Sequence, residues 1–239
     1  MAKKYNRILL KLSGEALKGN NDIYDKEYLD KIFQIVKNIT DMGTEVAIVV
    51  GGGNIWRGKL AENLGLERTA GDYMGMMATI MNAMCLQSYF ENEGLITRVM
   101  SAVECNKVCE PYIRRKAIRH LEKKRVVIFA GGIGSPFFTT DTCAALRAKE
   151  INADGIFMGK NGVEGIMTAD PKIDPSATLI KTISYQDILA KGLKVMDATA
   201  IGLLLDSKVD VRVFNMNDPE NAVRVVKGED LGTLVTNNK

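Results

Sequence analysis

The sequence predicts an α/β protein, a three-layer α/β/α sandwich built on a mostly parallel central sheet. Three observations predict it. Apolar runs of strand length alternate with longer stretches of helical period along the chain. Runs such as Val46-Ala47-Ile48-Val49-Val50 are apolar at every position, as strands covered on both faces are. Glycine clusters follow three of these runs directly, and open parallel sheets bind ligands at the carboxyl ends of their strands.

The elements follow in order. Residues 7–12 read as a first strand, centred on Ile8, Leu9 and Leu10. Residues 28–41 place Leu29, Ile32, Phe33, Val36 and Ile39 at helical spacing, and Gly43 ends that helix. Residues 46–50 form the second strand. A long helix is expected over 71–92, carrying Met74, Met76, Met77, Met81 and Met84; methionines at such spacing more often fill a core than hold a cofactor. Strand 97–100, basic helix 114–124 and strand 126–129 come next. Helix 141–152 leads to strand 155–158. The stretch 159–175, with Gly162, Gly165, Pro171 and Pro175, reads as a hairpin and loop. Helices are expected near 184–190 and 198–206, a strand at 211–214, a helix at 219–226 and a last strand at 232–235.

Composition narrows the function classes. The chain has 239 residues and a net charge of +3, too small for a nucleic-acid or polybasic membrane footprint. No segment approaches the roughly 20 apolar residues of a membrane helix. Near the N-terminus Lys11 interrupts Ile8-Leu9-Leu10, so no signal peptide is expected and the location expected is the cytoplasm. Cys85, Cys105, Cys109 and Cys143 include no CxxC pair and read as reduced, buried or half-buried thiols. The single histidine, His120, lies in the charged run Arg119-His120-Leu121-Glu122-Lys123-Lys124 and reads as a solvated helix residue. A hydrolase triad is therefore not expected. No linker divides the chain, and one two-lobed domain over 1–239 is expected.

The glycines locate a ligand. Ser13-Gly14 follows the first strand, Gly51-Gly52-Gly53-Asn54 the second, and Gly131-Gly132-Ile133-Gly134-Ser135-Pro136 the strand at 126–129. Without Cβ, backbone N–H groups can close on phosphate oxygens, and a following helix N-terminus adds positive potential. Known phosphate motifs fail. A Walker A loop is absent, and Gly159-Lys160 is followed by Asn161. Gly51 and Gly53 begin a G-x-G-x-x-G pattern, but Trp56 occupies its last position. The protein-kinase set and the G-x-S-x-G elbow are also missing.

Charged residues share the glycine edge. Lys11 sits in an apolar strand just before a turn, where an unpaired charge is costly, so it reads as a phosphate-binding lysine. Arg57 could clamp a phosphate, or be a surface arginine at a helix start. Asp72, Asp141, Asp170 and Asp197 are the acidic candidates. Helix capping would explain Asp141, and an Asp-Pro turn would explain Asp170; a carboxylate at a phosphate-lined edge could also orient a lysine or a metal-bound water.

Taken together, these segments resemble the bacterial uridylate (UMP) kinases, of the amino-acid-kinase fold. The resemblance rests on residues 11–17 (Lys-Leu-Ser-Gly-Glu-Ala-Leu), Gly51-Gly52-Gly53-Asn54 with Arg57-Gly58, and residues 71–76 (Gly-Asp-Tyr-Met-Gly-Met). It continues through residues 136–141 (Pro-Phe-Phe-Thr-Thr-Asp), Thr168-Ala169-Asp170-Pro171, Lys194-Val195-Met196-Asp197 and Arg212-Val213-Phe214-Asn215-Met216. The matches run in family order across nearly the whole chain. The resemblance implies transfer of the ATP γ-phosphoryl group to UMP, with Mg2+ carried by the nucleotide phosphates rather than by a protein metal site. It implies that Lys11, Leu12, Ser13, Gly14, Gly53 and Arg57 face ATP, and that Asn161, Met167 and Asp170 line the ATP nucleoside site. UMP would meet Gly52, Asp72, Ile133, Gly134, Ser135, Pro136, Phe137, Phe138, Thr139 and Thr140. Lys11, Asp141 and Asp197 would organise the catalytic centre. The N-terminal part would then hold mainly the UMP and phosphate site, and the C-terminal part mainly the ATP nucleoside site.

A homohexamer built as a trimer of dimers is further implied, with UTP as inhibitor and GTP as effector. Two places depart from the family pattern. Residues 19–25 lack the Gly-Phe-Gly-like stretch linked to GTP activation, and Met167 stands where members often carry an aromatic residue. A same-fold kinase acting on a carboxylate or carbamate, and a nucleotide-sensing protein without chemistry, are the alternatives.

Overall fold

Along β1 (Arg7–Leu12), Ile8, Leu10 and Leu12 enter one hydrophobic core and Leu9 enters another. The two-residue alternation of a strand separates them, so an unbroken apolar run serves two layers at once. β2 (Glu45–Val50) repeats this: Val46, Ile48 and Val50 face the first core, Ala47 and Val49 the second. The computed structural model describes residues 4–19, 22–160, 162–169, 173–174, 176–193, 195–218 and 220–237.

The remaining strands are β3 (Thr97–Ser101), β4 (Glu110–Pro111), β5 (Val126–Ala130), β6 (Gly155–Lys160), β7 (Thr182–Ile183), β8 (Asp210–Asn215) and β9 (Thr233–Val235). They form one nine-stranded sheet in the order β4-β3-β5-β2-β1-β6-β8-β9-β7. Among the described strands only the β8–β9 pair is antiparallel.

The helices are α1 (Lys26–Asp41), α2 (Gly58–Asn63), α3 (Arg68–Asn92), α4 (Arg114–Glu122), α5 (Thr140–Glu150), α6 (Tyr185–Ala190), α7 (Ala198–Leu204) and α8 (Glu220–Val226). Apolar residues of α1, α3 and α8 pack into the first core, and those of α4, α5, α6 and α7 into the second. The three-layer sandwich expected from the sequence is therefore the architecture found.

Several boundaries differ from the periodicity reading. α1 starts at Lys26 rather than residue 28, because the Asp25 carboxylate accepts the Glu27 N–H at 2.8 Å and caps the helix. α3 starts at Arg68, three residues before the expected start. α4, α5 and α7 each stop two residues early; Lys124 and Asn152, just beyond α4 and α5, take φ of +59° and +53°. α2, β4 and β7 are too short to leave a periodic signal. The hairpin expected within 159–175 reaches beyond that stretch: residues 166–168 pair with 178–180, Met167 bridging Leu179 and Thr168 N–H donating to Thr178 C=O at 2.9 Å.

The methionine reading needs correction. Met76 is buried, but Met74, Met77, Met81 and Met84 are exposed, together with Tyr73. One face of α3 covers the sheet and the opposite face remains apolar and uncovered. No helix among the described residues is long and apolar enough to cross a membrane.

Candidate active site

β5, β2 and β1 are neighbours in the sheet, so their carboxyl ends bring the three glycine turns side by side. The turns after β1 and β2 are in contact. Gly51 N–H donates to Leu12 C=O at 3.1 Å, and a Cβ on Gly14 would lie 2.3 Å from Gly51 O and 2.6 Å from Gly53 N. Only glycine permits that approach. In the third turn Gly131 and Gly132 take φ of +71° and +57°, a left-handed pair in which glycine carries no Cβ penalty.

Lys11 Nζ lies 3.0 Å from Asp141 Oδ1. The sequence left capping as an explanation for Asp141, and the structure assigns that role elsewhere. Thr139 is the N-cap of α5, its hydroxyl accepting the Asp141 and Thr142 N–H groups at 3.0 and 3.2 Å. The Asp141 carboxylate is free to meet the lysine. Its Oδ1 is buried and has no aligned hydrogen-bond donor, so the contact with Lys11 is ionic.

Asp197 lies beside the same helix start. It caps α7 by accepting the Ala200 N–H at 2.9 Å. It also accepts hydrogen bonds from the hydroxyls of Thr139 and Thr142. Burial pushes its pKa up, but the hydrogen bonds from Thr139, Ala200, Thr142 and Thr199 outweigh burial and hold it below the ordinary carboxylate value. Both its oxygens are occupied by protein donors.

Among the described residues, three cavities border this centre: one of about 430 Å3 is lined by Asp141 with residues of α6 and α7, and two lie at the glycine turns. Of these two, the first, about 400 Å3, is walled by Gly52, Gly53, Arg57, Asp72, Gly132, Phe138, Thr139 and Thr140, with Arg68, Met76 and Thr79 contributed by α3. Its size suits a small-molecule ligand. The second, about 420 Å3, is walled by Lys11, Leu12, Ser13, Glu15, Ala16, Tyr28, Gly159 and Met216. The contact between the Gly14 and Gly51–Gly53 turns lies between them.

Phe138, at the end of the loop 133–138, lines the first cavity. Asp72 accepts the Phe137 N–H at 2.8 Å and pairs with Arg68 at 3.1 Å. Phe137 has φ +71°, a conformation that costs a bulky residue about 1–3 kcal/mol and clusters at ligand clamps. The Arg68 guanidinium lies 5.8 Å from the Phe137 ring centroid. Arg57 is exposed and pairs with Glu15 at 2.6 Å.

Among the expected site residues, Lys11 to Ser13 share the second cavity, while Gly52, Asp72 and Phe138 to Thr140 share the first, together with Gly53 and Arg57, which the resemblance had turned toward ATP. Ile133 is half-buried against the second core. Met167 is half-buried in its bridge to Leu179 and is not part of the Lys11 cavity wall. Asn161 and Asp170, and also Pro171, Pro175, Lys194 and Pro219, lie outside the described residues. His120 is not a solvated residue: its side chain is largely buried, with Nε2 3.2 Å from Glu110 Oε1. Thr79 and Asn82 of α3 escaped the sequence reading, although both are buried and bonded to the glycine turns. Two polar residues three apart on an apolar helix face were the available signal, since buried polar groups need partners.

Three glycine turns, a lysine–aspartate pair and two cavities meet at one edge of a parallel α/β sheet, the edge at which open α/β enzymes bind ligands. The chain belongs to the amino acid kinase family, which it matches over residues 6–215. Its fold is similar to the UMP kinase of Bacillus anthracis, with 40% identity over 98% of this chain and 97% of that one and a TM-score of 0.95. The UMP kinase of Ureaplasma parvum is 39% identical over 99% of this chain and 100% of its own, with a TM-score of 0.92. The uridylate kinase of Archaeoglobus fulgidus is 32% identical over 96% and 99%, with a TM-score of 0.70.

Proposed function

We propose that this protein transfers the γ-phosphoryl group of ATP to UMP, giving UDP and ADP. One observation carries the reading: two cavities of similar volume adjoin across the Gly14–Gly51–Gly53 contact, with Lys11 and Asp141 beside it. ATP phosphates enter the Lys11 cavity and UMP the Asp72 cavity. The UMP phosphate has a second pKa near 6 and is mostly a dianion at pH 7, so it attacks without a general base. The obstacle is repulsion between two polyanions. Lys11, Arg57 and the turn N–H groups offset it. Asp141 aims the lysine, and Asp197 holds the start of α5 through Thr139 and Thr142. Asn161 and Asp170 are assigned to the ATP nucleoside side from the family resemblance.

The donor set suits Mg2+. It keeps several waters and needs few protein ligands when phosphates are present. Asp141 is the carboxylate that would face the hydrated ion. When bound, Mg2+ supplies charge neutralisation on the transferring phosphoryl group.

The exposed Tyr73, Met74, Met77, Met81 and Met84 of α3 support self-association, and the resemblance supports a hexamer built from dimers. The chain is assigned to the cytoplasm, where unpaired cysteines stay reduced, as one kinase unit over 1–239.

A coupled ADP-release assay tests the activity with UMP, CMP, aspartate and acetylglutamate as acceptors, with and without GTP and UTP. Turnover with UMP is expected. Its absence overturns the reading, and turnover with an amino-acid acceptor would move the protein to another branch of the family.

A further inference from the structure

α3 carries two buried polar residues, Thr79 and Asn82, three positions apart and so on one helix face. Each is bonded to a different glycine turn. The Thr79 hydroxyl accepts the Gly131 N–H at 2.9 Å and donates to Met76 C=O at 2.7 Å. The Asn82 amide donates to Gly51 C=O at 2.7 Å and to Asn54 Oδ1 at 2.7 Å. Asn54 returns a bond to Asn82 Oδ1 at 3.0 Å and donates again to Ile23 C=O at 2.9 Å. Both amide orientations are determined, because each amide nitrogen faces a backbone carbonyl that can only accept.

The sheet explains why this pair matters. β2 and β5 are adjacent strands, and their turns, Gly51–Gly53 and Gly131–Gly134, lie at the same edge. A single helical turn of α3 spans both. We propose that Thr79 and Asn82 are positioning residues that set the separation of these two turns, and with it the approach of acceptor phosphate to donor phosphate. The inference rests on the phosphoryl-transfer reading above and adds residues that touch neither reacting atom. Neither side chain is needed for packing alone: an apolar residue would fill the same space, but would leave Gly131 N–H and Gly51 C=O without a partner. Turns without those anchors shift, and a displacement of about 1 Å between reacting groups costs on the order of a hundredfold in rate.

The test compares Thr79→Val, which keeps the shape and loses the hydroxyl, with Thr79→Ser, which keeps the hydroxyl. Asn82→Ala is the second probe. Turnover is measured with saturating UMP and Mg-ATP well below each variant's Tm, and normalised to folded protein. Thr79→Val and Asn82→Ala are expected to lose about tenfold or more in kcat with the ATP KM within about twofold, and Thr79→Ser to stay near wild type. Equal rates for Thr79→Val and Thr79→Ser would overturn the inference. Should Asn82→Ala fail to fold, the Val–Ser comparison decides alone. Amide hydrogen exchange gives a readout free of substrate: the Gly131 amide should exchange at least tenfold faster in Thr79→Val, and unchanged protection would also overturn the inference. A wild-type protein inactive on UMP would sink the proposed reaction, while the exchange measurement would still judge the positioning role.

Discussion

Lys11 at the end of β1 and Asp141 in the first turn of α5 approach to 3.0 Å, although 130 positions separate them in the sequence. The pair is mostly buried, and it joins the lysine at the end of β1 to the helix that Thr139 caps. Lys11→Ala and Asp141→Asn are each expected to lower turnover by about a hundredfold or more, as removal of a preorganised charge does. Both variants should keep a native circular dichroism spectrum. Unchanged turnover in both would remove them from the centre.

The contact between the first two turns gives a steric prediction. Gly14→Ala would push a methyl group to 2.3 Å from Gly51 O, where both neighbours are backbone. Loss of activity and a large fall in Tm are expected. Gly202→Ala in α7 is the control: nothing lies within 4 Å of its added Cβ, so Tm and kcat should stay close to wild type. Thermal scans and the ADP-release assay decide both.

Asp72 engages Arg68 and the Phe137 N–H, all beside the first cavity. Asp72→Ala should free the 133–138 loop and raise the KM for UMP at least tenfold, while the KM for ATP changes little. An equal rise for both substrates would show that the residue does not act on the acceptor side.

Asp197 yields a pH dependence. Its folded pKa is lowered, so it contributes stability that is fully present above the ordinary carboxylate value near 4 and is lost as pH falls through the folded value. Asp197→Ala also removes the α7 cap, worth about 1 kcal/mol. The Tm deficit of Asp197→Ala should be constant from pH 6 to 8 and shrink below about pH 4. A deficit independent of pH down to 3 would contradict the ionised carboxylate.

Arg57 pairs with Glu15 in solvent, and exposed ion pairs contribute only about 0–1 kcal/mol. Arg57→Ala should therefore leave Tm nearly unchanged while weakening nucleotide binding several-fold. An unaltered Michaelis constant and rate would make it an ordinary surface arginine.

The layered architecture and the sheet edge that gathers the glycine turns were legible in the residue pattern alone. Strands buried on both faces demand continuous apolar runs, and close backbone approach demands glycine; both requirements are local and so are written locally. The short α2, β4 and β7 bury too little to leave a pattern. The outward face of α3 was hidden for another reason: methionines look alike at a core and at an uncovered surface. Which polar groups meet became visible with the folded chain. It gave the capping role to Thr139 and released Asp141 for Lys11. It paired His120 with Glu110, and it bonded Thr79 and Asn82 to turns on two neighbouring strands. Such partnerships join positions far apart in the chain, and they depend on strand order, β5-β2-β1, which no local spacing encodes.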